Sequence, residues 1–137
     1  MYNINFWPVL VASVASFAIM ALWYSPILFG KEWMALTKMS EKDLVEMKAR
    51  GMWKLYITHF IATLVSFCVL AFVIVVTNSQ TATDGATIGF LVWVGFIATM
   101  AVSDFIWRRS PLKLVTIDTI NVLFGFVIGG AIIGAWK

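Results

Sequence analysis

Apolar residues fill four long stretches of this chain, and three shorter polar windows separate them. The stretches cover about residues 5–29, 53–76, 85–107 and 112–136. Each is roughly 22–25 residues long, or on the order of 33–37 Å at the helical rise, enough to cross a ~30 Å hydrocarbon core with some tilt. None shows the strict alternation of a barrel strand, and a backbone inside lipid must satisfy its polar groups internally. The pattern therefore predicts an all-α protein, a single membrane domain built as a polytopic transmembrane four-helix bundle.

The window at residues 30–52 is the one sizeable connection. Ser40-Glu41-Lys42-Asp43 reads as an N-cap followed by an acidic first turn, which predicts a short helix from Glu41 to Arg50. Leu44 and Met47 share one face of it, so it suits a membrane interface with its lysines near lipid phosphates; a solvated connector is the alternative. Asn78 to Asp84 is a polar turn with no basic residue. Asp104 and Arg108 are spaced to pair along one helix.

Composition sharpens this picture. The 137 residues are 61% hydrophobic and 12% charged, far from the roughly 25% charged residues of soluble domains. Residues before Phe6 include no Lys or Arg, and the first apolar run is too long for a signal peptide, so a retained span is expected. The single cysteine, Cys68, lies in an apolar run and allows no disulfide framework.

Charge then orients the spans. Of ten Lys and Arg residues, six (Lys31, Lys38, Lys42, Lys48, Arg50, Lys54) fall around the first connection and three (Arg108, Arg109, Lys113) around the third; only Lys137 falls elsewhere. The positive-inside rule predicts that both connections are cytoplasmic and both termini lie outside, in a bacterial inner membrane or a plasma membrane. The net charge of +3 flanks apolar segments and forms no separate basic domain. It points to the lipid bilayer as partner and not to nucleic acid. Trp23, Tyr24, Trp53 and Trp107 fall where headgroup-level anchors are expected, with Trp7 and Trp136 at the opposite ends and Trp93 inside the third span.

Small residues recur every four positions: Ala12 and Ser16; Gly85 and Gly89; Gly95, Thr99 and Ser103; Gly125 and Gly129, with Gly130 and Gly134 one residue over. Such rows let helices approach closely inside one bundle, or between copies in a homo-oligomer. Two glycine faces on the fourth span would leave one available for a second chain. The halves also echo each other, Ser25-Pro26 matching Ser110-Pro111. That echo fits a parallel repeat or simply the tolerance of Pro at helix ends.

Ionisable residues inside spans are where transport chemistry would show. His59, Thr63 and Ser66 form one stripe on the second span, and Asp118, Asn121 and Gly125 form another on the fourth. If the stripes face each other, Asp118 accepts a hydrogen bond from His59. That cluster would serve a proton- or cation-handling step in a small oligomeric channel or transporter, or act as plain interhelical glue. Nothing supplies a catalytic set, a metal-ligand set or a nucleotide loop, so no catalytic residue, metal or cofactor is expected. A structural or accessory membrane protein acting through helix contacts leads, a channel or transporter follows, and a membrane enzyme has least support.

One segment is distinctive. Ala21-Leu22-Trp23-Tyr24-Ser25-Pro26-Ile27-Leu28-Phe29-Gly30, followed by Trp33, resembles the signature of a bacterial and fungal membrane family catalogued as domain of unknown function 1761. The runs Gly89 to Phe96 and Gly130 to Trp136 are similar to that family's third and fourth spans. The resemblance implies a four-span membrane protein and carries over no catalytic residue.

Overall fold

A computed structural model of the chain describes residues 3–136. Lys137 lies outside them. Six helices and no strand occur among the described residues: α1 (Phe6–Trp23), α2 (Gly30–Leu36), α3 (Glu41–Ala49), α4 (Met52–Val76), α5 (Ala82–Trp107) and α6 (Leu112–Ala135). α1, α4, α5 and α6 are long and apolar enough to cross a membrane, and the chain is an all-helical membrane protein. Successive long helices run antiparallel. The connections at 24–51 and 108–111 meet at one end, the basic end. The 77–81 turn and both described chain ends meet at the other, the terminal end.

α1 opens on Asn5, whose side chain accepts a hydrogen bond from the Trp7 N–H, and closes at Trp23, well before residue 29. Pro26 is the reason: it disfavours helical backbone at Ser25 and brings no N–H to continue the ladder. Residues 24–29 instead fold into a tight turn in which Phe29 N–H reaches the Trp23 carbonyl and Gly30 N–H the Ser25 carbonyl. A Cβ at Gly30 would overlap the Tyr24 carbonyl oxygen, so this turn requires glycine.

α3 begins where the capping pattern places it. The Ser40 hydroxyl accepts from Asp43 N–H while the Asp43 carboxylate accepts from Ser40 N–H, a reciprocal cap that satisfies two orphan helix donors. Gly51, at φ 92°, makes the left-handed turn into α4 that an L side chain resists.

α6 is the hub, packing against α1, α4 and α5. Its glycines explain how. Gly85 of α5 sits against the backbone of Gly130 and Gly134, and Gly89 against that of Phe126, so a Cβ at either would collide with main chain. On its other side Gly125 faces the Ser16 hydroxyl of α1 and Gly129 the Phe67 ring of α4. The expectation that one glycine face of the fourth span stays available for a second chain is therefore corrected. Both faces are covered within the chain, because α6 lies between the other three long helices. The buried core, Val9, Ala12, Phe67, Leu70, Ala71, Ile74 and Ile133, belongs to the terminal half.

α5 changes character midway. Its first part lies tightly along α6, but at Trp93–Ala98 the helix widens into a π segment. π insertions bend helices and shift side-chain register. Beyond it, Thr99–Trp107 stays in much looser contact with α6.

Candidate functional site

The polar groups that hold the spans together gather near the basic end, where residues 23–33 fold back across the first turns of α6. Because α1 stops at Trp23, the next side chains leave the helix axis and reach sideways. The Trp23 indole N–H donates to the Ile117 carbonyl at 3.0 Å, and its ring packs on Phe29 and Phe124 at centroid distances of 4.6 and 5.7 Å. Tyr24 Oη donates to Asp118 Oδ1 at 2.6 Å, with Asn121 beside the same hydroxyl. The Tyr24 ring meets Trp33 edge-on at 5.7 Å. Further out, Lys113 Nζ pairs with Glu32 at 2.7 Å, both side chains about half exposed.

The condition that the two stripes face each other is not met: His59 and Asp118 share no hydrogen bond or ion pair among the described residues. The Asp118 carboxylate takes the Tyr24 hydroxyl, while His59 lies exposed on α4 with its ring 6.1 Å from that of Phe17. The physical reason is rotational: His59 sits toward α1, and Asp118 faces the returning 24–33 segment. Thr63 and Ser66 donate to the carbonyls of His59 and Ala62 in their own helix. Sequence reasoning missed Tyr24 as the partner. The signal was present in a tyrosine near the basic end at the depth of Asp118, since a half-buried phenol seeks an acceptor.

Trp93 also finds a role. Its indole N–H donates to the Thr119 carbonyl at 2.9 Å. Trp23 and Trp93 thus grip α6 from two neighbouring helices, at carbonyls two residues apart. Trp23 and Tyr24, expected as headgroup anchors, direct their polar atoms onto α6 instead. Trp53 and Trp107 are turned outward, Trp107 being 82% exposed. Gly95, Thr99 and Ser103 lie on the outer surface of α5. A Cβ at Gly95 would meet nothing within 4 Å, and Thr99 donates to the Gly95 carbonyl. Asp104 and Arg108 form the expected i,i+4 pair at 3.4 Å.

Two hollows flank this framework. At the terminal end a cavity of about 390 Å³ is lined in part by Asn3, Asn5, Ser79 and Gln80. Near the basic end a cleft of about 210 Å³ opens between the second part of α5 and α6. Among the described residues no group of three His, Cys, Asp or Glu could hold a metal ion. Chemically, the Tyr24–Asp118 pair is a positional lock, joining the end of the first span to the last span across 94 positions of sequence.

A family model described as protein of unknown function (DUF1761) matches residues 7–134. No curated protein and no solved structure matches the chain.

Proposed function

The chain belongs to the family described as protein of unknown function (DUF1761), and on that premise we propose that it is an accessory membrane protein acting through lateral helix contacts, its first partner being a second copy of itself. One observation carries this reading. Gly95, Thr99 and Ser103 form a small-residue row on the outer face of α5, and the space a Cβ would take at Gly95 is open. The interhelical glycines of α5 and α6 press on a neighbouring helix of the same chain. Small-residue rows drive association in lipid by letting backbones approach. In this reading the basic end is cytoplasmic and both termini lie outside, as the grouped lysines and arginines favour.

The test is the mass of the detergent-solubilised protein with and without Gly95→Ile. The space at Gly95 lets the variant fold, so the expected result is a dimer or larger species that becomes a monomer on substitution. A wild-type monomer, or an oligomer indifferent to Gly95→Ile, overturns the reading.

A second reading, a proton- or cation-conducting oligomer, draws on His59, which lies exposed on α4 roughly 7–8 Å along the helix from Lys54. Ion flux into liposomes that is unchanged in both His59→Ala and Asp118→Asn removes it.

A further inference from the structure

We infer that the cleft between the second part of α5 and α6 is a binding site for an anionic glycerophospholipid, with one acyl chain lying in the cleft and the phosphate held at Arg108 and Arg109. The π segment creates the space. Trp93 is tied to Thr119 at its head, and beyond that point the helices separate. Ala98, Ala101, Phe105, Leu112, Val115 and Thr116 are among the lining residues, and the small alanines leave the depth.

The lining selects hydrocarbon. Its two threonine hydroxyls, on Thr116 and Thr119, both donate to carbonyls one turn back in α6, so they offer a ligand no free donor. At about 210 Å³ the cleft is smaller than the ~300–1,000 Å³ of compact small-molecule pockets. A segment of a flexible chain fits it, with the rest of the lipid continuing into the bilayer.

Charge completes the match. Phe105 and Leu112 line the cleft at its basic end, and the turn joining them carries Arg108 and Arg109. Lys113 is already held by Glu32 and Arg108 makes only an exposed, 3.4 Å contact with Asp104. Arg109 has no ion-pair partner among the described residues. An anionic phosphate at headgroup level is the natural counterion for a bidentate guanidinium.

The experiment reconstitutes the full chain in vesicles of equal phosphatidylcholine and phosphatidylglycerol, re-extracts it, and quantifies retained lipid by native mass spectrometry. Wild type is expected to retain phosphatidylglycerol over phosphatidylcholine by about fivefold per arginine, the equivalent of ~1 kcal/mol per basic residue at an anionic surface. Arg108→Gln with Arg109→Gln, both exposed and so compatible with folding, should keep bound lipid but lose the preference. Ala101→Phe, which fills the cleft, should lose bound lipid of both kinds. Retained lipid of bulk composition in wild type overturns the proposal. So does undiminished lipid in Ala101→Phe, or a second copy of the chain in place of lipid.

Discussion

The Tyr24 hydroxyl and the Asp118 carboxylate lie 2.6 Å apart, and this bond, beside that of the Trp23 indole to the Ile117 carbonyl, joins the end of the first span to the beginning of the last. Removing the donor leaves a half-buried carboxylate short of a partner. Tyr24→Phe should destabilise the protein by about 1–2 kcal/mol, within the ~1–3 kcal/mol cost of leaving a buried acceptor unsatisfied and above the ~0.6 kcal/mol average in membranes. Thermal or denaturant unfolding in detergent measures this. A double-mutant cycle with Asp118→Ala, which removes the acceptor that Asn would keep, should yield a coupling near 1 kcal/mol; zero coupling would sink the lock.

Glycine substitutions should sort by position. At Gly85 or Gly130 an added methyl runs into the facing backbone of the other helix, and such overpacking typically costs about 1–3 kcal/mol. Gly85→Ala and Gly130→Ala should both lower the unfolding temperature. Gly95→Ala meets nothing within the chain and gains helix propensity of up to about 1 kcal/mol, so for the monomeric chain in detergent it should be neutral or stabilising. A reversed order would contradict the α5–α6 contact.

The tryptophans offer a similar contrast. Trp23→Phe and Trp93→Phe each remove an indole N–H from an α6 carbonyl, at about 1 kcal/mol apiece. Trp107→Phe, at an exposed position whose indole has no hydrogen bond among the described residues, should change stability by less than about 0.5 kcal/mol. Amide hydrogen exchange in the second part of α5 should quicken in Trp93→Phe alone.

α3 carries a pH signature. The Ser40 backbone N–H, followed by its hydroxyl, holds the exposed Asp43 carboxyl below the usual carboxylate range. A depressed folded-state value stabilises the helix above the unfolded value and loses that contribution as pH falls through the lowered one. Exchange protection of the Ser40, Asp43 and Leu44 amides, the ones bonded in this cap, corrected for intrinsic rates, should therefore be greatest at neutral pH and fall in acid. Asp43→Asn should show the weaker protection at every pH, and an unchanged acid profile in that variant would exclude the cap as its source.

The cap at Ser40, the four membrane-length helices and the i,i+4 pair of Asp104 with Arg108 were all legible along the chain. Each depends on residues a few positions apart, or on the length and apolarity of a single run. Pro26 shows the margin of that logic: hydropathy carries the first span on to Phe29, while backbone sterics end the helix at Trp23.

The partners of Asp118, Trp23 and Trp93 depended on something no linear pattern contains, the rotation of each helix about its own axis. Periodicity places His59 and Asp118 at similar depth but cannot say which neighbour each faces. The close glycine contact of α5 with α6 sets one angle, and the tight turn at Ser25 to Gly30 sets another. Together they hand the carboxylate to Tyr24, while the packing of α4 on Phe17 of α1 sets where His59 lies. By itself the sequence determined an all-helical membrane protein with four spans and basic residues gathered at one end, because hydrophobic length and charge act locally. Only tertiary packing decided which polar atoms meet, which glycines are covered, and where α5 parts from α6 to open a cleft, because those outcomes rest on contacts between helices distant in sequence.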